Sequence, residues 1–189
     1  MEIRIVPVGA LETNCYVLWQ PGREDAVVID PGDDAQKILD ALAGKNVAAI
    51  LLTHGHYDHT GALYAFPDAP IYLHEGDHAM LKNPRVSGGQ WADDNKPRRE
   101  ATETVVEGQI LKLAGIVFQV MHTPGHTPGC VCYVVGTDIF TGDTLFDGDY
   151  GRTDLPGGSP QQMRQSIKRL LALHAYHAYP GHDTNMVIA

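Results

Sequence analysis

Cysteine is scarce: Cys15, Cys130 and Cys132 are the only three in 189 residues, too few and odd in number for a disulfide framework. Reduced thiols in a reducing compartment are expected. Long apolar runs are absent as well. The longest aliphatic stretch, residues 47–52, falls far short of the roughly 18 apolar residues that a membrane span needs. No basic segment followed by an apolar one opens the chain, so neither membrane insertion nor export is expected, and a cytoplasmic location is. Positive charge is in the minority, 14 Lys plus Arg against 23 Asp plus Glu, for a net charge of −9. Such a surface offers a polyanion no general attraction, which argues against nucleic acid and for a small-molecule partner. Histidine is what the chain has in excess, 10 residues, several of them clustered.

Residues 3–8, 15–19 and 26–29 are short apolar or β-branched runs divided by Gly, Pro and polar residues, and they read as strands. Residues 33–43 place Ala35, Ile38, Leu39 and Leu42 on one helical face, with Asp33 or Asp34 as N-cap and Gly44 as stop. Residues 47–53 are nearly all apolar, the pattern of a strand buried on both faces. A short helix after Asp58, a strand over 70–73 and a short helix near 77–81 follow. The polar stretch 82–107 carries Trp91, Lys96, Arg98 and Arg99 and reads as a long surface excursion. Strands are then expected over 110–113, 116–121, 130–135 and 139–141, an amphipathic helix over 160–173 with Met163, Ile167, Leu170 and Leu171 inward, and a last strand over 175–179. No linker or repeat interrupts this order, so residues 1–189 are expected to form a single α/β domain. The expected architecture is a four-layer αββα sandwich, two packed mixed β-sheets with helices on their outer faces.

Where the buried strand 47–52 ends, the chain reads Thr53-His54-Gly55-His56-Tyr57-Asp58-His59, which sets four potential metal ligands within a single turn. The strand end is held rigidly, and Gly55 lets the turn coil tightly enough for alternate side chains to converge. Packing so many imidazoles beside a carboxylate without a cation would be unfavourable desolvation. Three further ligand-type residues follow predicted strands beside glycine: His126 in Gly125-His126, Asp143 in Gly142-Asp143 and His182 in Gly181-His182. Any one of these is an ordinary turn residue by itself; beside the first cluster they become its natural remaining ligands. Imidazole and carboxylate suit Zn, Fe, Mn or Co.

These residues carry a resemblance. The H-x-H-x-D-H signature of the metallo-β-lactamase superfamily is intact as His54, His56, Asp58 and His59, and the match extends through Asn14-Cys15-Tyr16 and Asp30-Pro31-Gly32 to His182. Within the superfamily the chain looks most like the compact glyoxalase II-like, or hydroxyacylglutathione hydrolase-like, enzymes through Gly125-His126-Thr127-Pro128-Gly129, Phe140-Thr141-Gly142-Asp143 and Gly151-Arg152-Thr153-Asp154. The resemblance implies that one metal takes His54, His56 and His126, that a second takes Asp58, His59 and His182, and that Asp143 bridges both. It implies two divalent ions, zinc foremost with iron or manganese as alternatives. The chain ends soon after His182, so the C-terminal helical domain that holds glutathione in full-length glyoxalase II enzymes is not expected.

The expected chemistry is hydrolysis of a small thioester by a hydroxide held between two metals, with Asp58 orienting the nucleophile and accepting its proton. A thiol of pKa about 8.5 leaves without a strong acid, which an amine requires, so a site lacking a separate acid favours thioesters over amides. Asp30 reads either as a hydrogen-bond acceptor behind the ligand turn or as an Asp-Pro-Gly turn residue. Arg152 and Tyr150, in the loop after Asp143, are candidates for clamping an anionic substrate group. The sequence also admits two alternatives: a mononuclear iron persulfide dioxygenase of the same superfamily, and a non-enzymatic module that keeps metal for folding. The literal H-E-x-x-H of His74 to His78 is set aside, because a strand runs up to it and Gly76 would sit inside the required helix. Cys130 and Cys132 read as core side chains, Lys96, Arg98 and Arg99 as solvated surface, and His122, His174 and His177 as structural or exposed.

Overall fold

The computed structural model describes residues 1–188 other than 95, 97, 174 and 175. Strands β1 (Glu2–Val8), β2 (Thr13–Trp19) and β3 (Asp25–Ile29) pair antiparallel, and β4 (Asn46–Leu51), β5 (Ile71–His74) and β6 (Glu103–Val105) continue the same six-stranded sheet in parallel. The second six-stranded sheet has the order β12-β11-β10-β9-β8-β7. It is built from β7 (Ile110–Leu113), β8 (Ile116–His122), β9 (Val131–Val135), β10 (Asp138–Gly142), β11 (Tyr176–Pro180) and β12 (Met186–Ile188). Only β10 and β11 run parallel there.

Side chains alternate across each strand, so a buried sheet must fill two cores at once. Val17, Val28 and Ile50 pack outward against helix α1 (Ala35–Leu42), while Tyr16, Leu18, Val27, Ile29 and Leu51 face the other sheet and meet Phe118, Tyr133 and Phe140. Beyond the second sheet, Cys132, Ile139 and Ala178 pack with Leu170 of helix α3 (Pro160–Leu171). The layers are helix, sheet, sheet, helix. Ser159 caps α3, its hydroxyl accepting from the Gln162 N–H at 3.3 Å, and Pro160 fills the first helical position, where a missing N–H does no harm. Among the described residues no helix is long and apolar enough to cross a membrane.

Several local expectations are corrected. Two short strands, β6 and β12, lie where no strand was expected, and β6 closes the edge of the first sheet from within the 82–107 excursion. Asp34 precedes α1 but sits in the left-handed region, φ 46°, and its side chain caps nothing. Its carboxylate accepts instead from the Gly9 N–H at 3.1 Å and from Lys37 at 2.6 Å. Leu39 and Leu171 are exposed, their expected inward places taken by Ala41 and Ser166, and Ser166 donates to the Pro124 carbonyl at 2.8 Å. The expected start of the last strand at 175, and His174, lie outside the described residues.

The basic stretch is not a solvated surface throughout. The Arg98 side chain is only 7% exposed: it donates to Thr60 Oγ1 at 2.8 Å and to the Tyr57 carbonyl at 3.0 Å, and pairs with Asp94. It thereby ties the excursion to the short helix α2 (Tyr57–Thr60), which carries Asp58 and His59. Arg99 donates to the carbonyls of Phe66 and Ala69, and Lys96 pairs with Asp33.

Candidate metal centre

All of the predicted ligand residues lie just past the carboxyl ends of strands, on one edge of the sandwich: His54, His56, Asp58 and His59 after β4, His126 after β8, Asp143 after β10 and His182 after β11. Backbone hydrogen bonds join these turns to one another. The Val131 N–H donates to the Thr53 carbonyl at 2.8 Å, and the Gly181 N–H to the Gly142 carbonyl at 2.9 Å. Two glycines make the approach possible. A Cβ at Gly142, whose φ is +49°, would run into the Thr53 side chain, and one at Gly181 would run into the Asp143 carboxylate.

The convergence is close. His54, His56 and His126 form one group able to hold a metal ion, and Asp58, His59 and His182 a second, with ligand atoms within 4.8 Å of one another in each. His56 Nδ1 stands 2.7 Å from His126 Nε2. His182 Nε2 is 3.3 Å and His59 Nε2 3.5 Å from Asp58 Oδ2. Asp143 lies between the groups, with Oδ1 3.3 Å from His59 Nε2 and Oδ2 3.4 Å from His126 Nε2 and 3.6 Å from His182 Nε2. His54 Nε2, His56 Nε2, His59 Nε2 and Asp143 Oδ1 are buried and make no hydrogen bond. A buried polar atom without a partner is unfavourable by about 1–3 kcal/mol, so several of them on clustered imidazole and carboxylate side chains fit cation ligation.

Four of the five imidazoles have a partner at their other nitrogen. His126 Nδ1–H donates to the Arg152 carbonyl at 2.6 Å and His182 Nδ1–H to the Leu11 carbonyl at 3.0 Å; carbonyls only accept, so in each ring Nε2 is the nitrogen left for a cation. His59 Nδ1–H donates to Asp30 Oδ2 at 2.9 Å, and His54 Nδ1 lies 3.1 Å from Thr53 Oγ1. Asp30 also accepts from the Thr53 N–H at 2.8 Å and the Thr53 hydroxyl at 2.6 Å. It sits among possible ligands beside His54 and His59, but its oxygens are already taken, so it orients the ligand turn rather than joining the ligands.

The electrostatics divide the two groups. Burial pushes His54 well down and His56 to about 3, with neighbouring imidazoles adding to it, so both are neutral in the cation-free protein. Burial also opposes charge on His59 and His182, but the carboxylates of Asp143 and Asp58 outweigh it, raising His59 well above its usual range and His182 to about 10. Burial likewise opposes ionisation of Asp143 and Asp58, and the adjacent imidazoles overcome it and hold both below the usual carboxylate range. A cation entering the Asp58, His59 and His182 group must therefore displace about two protons, whereas His54 and His56 have none to give. Calorimetry in buffers of different ionisation enthalpy is expected to show proton release in one of two binding events, with affinity there rising as pH climbs toward 10. Buffer-independent heats for both events would contradict this. The cation-free protein should also lose stability at both extremes. The raised His182 stabilises fully below its unfolded value near 6.5 and ceases to do so through about 10; the depressed carboxylates stabilise above about 3.8 and cease to do so as pH falls.

A cavity of about 480 Å³ opens over the cluster, bounded by His56, Asp58, His126, Asp143 and His182 on its floor and by Leu11, Trp91, Phe146 and Leu155 on apolar walls. Arg152 reaches its rim, but the guanidinium is exposed and holds Asp154 through two 2.7 Å hydrogen bonds, and it is the Arg152 carbonyl that touches a ligand. Tyr150 lines a different hollow, between α3 and β12. His74 to His78 forms no zinc-binding helix: His74 ends β5, its Nδ1 accepts from the Gly76 N–H, and residues Glu75–Leu81 coil as a 3₁₀ segment. Asp77, in that segment, is fully buried against the ligand turns, a role with no signal in the sequence because its partners are 22 to 52 residues away.

A family model described as the metallo-beta-lactamase superfamily matches residues 8–182. A protein of Haemophilus influenzae named hydroxyacylglutathione hydrolase GloC is 34% identical over 190 residues, covering 92% of this chain and 86% of that protein. The crystal structure of BLEG-1 B3 metallo-beta-lactamase superposes with a TM-score of 0.93 at 34% identity, covering 99% of this chain and 94% of that one. The crystal structure of TTHA1623 in a di-iron-bound form gives a TM-score of 0.86 at 36% identity, covering 98% and 94%.

Proposed function

The chain belongs to the metallo-beta-lactamase superfamily, and from that premise we propose that it is a binuclear metal-dependent hydrolase of small thioesters of the hydroxyacylglutathione type. The observation that carries the reading is a pair of ligand groups sharing Asp143, beneath a cavity whose remaining wall offers no carboxyl or imidazole group among the described residues. One cation would be held by His54, His56 and His126 and the other by Asp58, His59 and His182, with Asp143 reaching both. Zinc suits this donor set, and iron or manganese also fits it. When bound, such a pair lowers the pKa of water toward neutrality and polarises a carbonyl.

The chain's own residues do the rest. Asp58 lines the cavity and is held ionised at neutral pH, so it can orient a water molecule and take up its proton. The leaving group must depart with little help. Burial and the neighbouring Asp58 push the Tyr57 hydroxyl above its usual range, and Arg152 is permanently cationic. A thiol of pKa about 8.5 leaves as the thiolate, whereas an amine would need a donor that this wall does not supply. Arg152 can exchange its exposed partner Asp154 for a substrate carboxylate, while Trp91 and Leu155 accept apolar parts of the substrate. The name of the Haemophilus influenzae relative supports a hydroxyacylglutathione substrate.

The test is a substrate panel with protein carrying two equivalents of zinc: S-lactoylglutathione, simple S-acyl thioesters, the matching oxygen esters and amides, and a β-lactam. Thioester hydrolysis is expected at kcat/KM on the order of 10⁴ M⁻¹ s⁻¹ or above, at least about 100-fold over the amides and the β-lactam. Preference for the β-lactam, or oxygen uptake with glutathione persulfide and a single bound iron, would overturn the proposal.

A further inference from the structure

We propose that Asp77 is the positioning residue for one cation site alone, locking the turns that carry His54, His56 and His126 to each other while leaving the Asp58, His59 and His182 group independent. The carboxylate is completely buried and touches no ligand side chain through any of its three hydrogen bonds. Oδ2 accepts from the Gly55 N–H at 3.0 Å and from the Thr127 hydroxyl at 2.6 Å, and Oδ1 accepts from the Gly129 N–H at 2.7 Å. Gly55 lies between His54 and His56, and Thr127 directly follows His126. One side chain thus fixes the backbone on both sides of the 2.7 Å approach of His56 Nδ1 to His126 Nε2.

The link crosses the sandwich. Asp77 belongs to the 3₁₀ segment after β5 of the first sheet, while Thr127 and Gly129 belong to the loop between β8 and β9 of the second. Close packing at this crossing requires glycine on both sides. A Cβ at Gly129 would lie 2.6 Å from the Asp77 carboxylate, and one at Gly76 3.0 Å from the Gly129 nitrogen. The other group is aimed by different atoms: His59 by Asp30 and His182 by the Leu11 carbonyl. Asp77 thus ties together only the turns of His54, His56 and His126, whereas Asp30 holds His59 directly and reaches His54 through Thr53.

Partners behind a ligand set typically alter metal affinity about 10- to 100-fold. Asp77→Asn keeps the volume but turns one acceptor into an amide N–H, which must face one of the N–H groups it formerly bound. This inference rests on the reading of the cluster as a metal centre. Zinc competition titrations of wild type come first, and absence of any tight site there would sink that reading itself. Given two sites in wild type, Asp77→Asn is expected to weaken one dissociation constant about 10- to 100-fold and to leave the other within about threefold. Imidazole ¹H–¹⁵N spectra of the zinc-loaded variant are expected to show a shifted or broadened His126 Nδ1–H signal, with those of His59 and His182 at wild-type positions. A merely loosened fold would move all three. Gly129→Ala, which displaces the same carboxylate by a methyl group, is expected to give the same selective pattern and carries the test should Asp77→Asn not fold. Equal weakening of both sites, no weakening, or movement of the His59 and His182 signals with His126 unchanged would overturn the assignment.

Discussion

Asp143→Ala is expected to abolish turnover and the binding of both cations together, with thioester hydrolysis falling on the order of 10³-fold or more. The size follows from position. The Asp143 carboxylate reaches His59 through one oxygen and both His126 and His182 through the other, so on the proposed reading its removal takes an anionic ligand from each group at once. Loss of several kcal/mol of charge stabilisation in the transition state corresponds to that factor. A second readout needs no substrate. Zinc should raise the melting temperature of wild type, because a ligand that binds only the folded state stabilises it by mass action, and should leave the variant's nearly unchanged. A variant with zinc-dependent melting and more than a tenth of wild-type activity would refute the shared role.

The second large effect is expected at Asp30. Removal of its carboxylate leaves the Thr53 N–H and the His59 Nδ1–H buried without acceptors, in addition to the Thr53 hydroxyl. Each orphaned donor is unfavourable by about 1–3 kcal/mol, so Asp30→Ala should destabilise the cation-free protein by about 3–5 kcal/mol in urea unfolding. The backbone adds to this. Asp30 has φ +50°, a left-handed conformation that Asp and Asn tolerate better than Ala. Asp30→Asn should thus retain more stability than Asp30→Ala, yet still weaken the cation of the Asp58, His59 and His182 group about 10- to 100-fold, because the neutral amide must turn its NH2 toward either the Thr53 N–H or the His59 Nδ1–H, and its oxygen holds that ring less firmly than a carboxylate does. A loss below about 1 kcal/mol in Asp30→Ala would show that Asp30 is an ordinary turn residue.

The legible parts of the chain were those whose signal is local. The unbroken apolar run ahead of His54 marks a strand buried on both faces, which β4 is over its last three residues, Ala49 to Leu51, and the alternate ligand spacing after it is set by a single turn. The turns of His126, Asp143 and His182 were legible because each follows a strand beside glycine, where the fold gathers strand ends. The strands β6 and β12 were not, since each spans three residues with one fully buried side chain, too short for a period to show. Arg98 looked like surface because a charged residue in a polar stretch carries no mark of burial; only the carbonyl of Tyr57 and the hydroxyl of Thr60, far away in sequence, reveal its place. Asp77 was hidden for the same reason, and it also stands within an H-E-x-x-H string that suggests a different chemistry. In the sequence Arg152 stands out by its side chain, whereas its backbone carbonyl is what meets His126 Nδ1.

On the proposed reading, separate strand ends meet to hold a pair of cations across Asp143. Anomalous diffraction at the zinc edge, from crystals grown with zinc, addresses it directly. Two peaks are predicted, one among His54, His56 and His126 and one among Asp58, His59 and His182, with the Asp143 carboxylate between them. A single peak, or ions bound away from these side chains, would contradict the account.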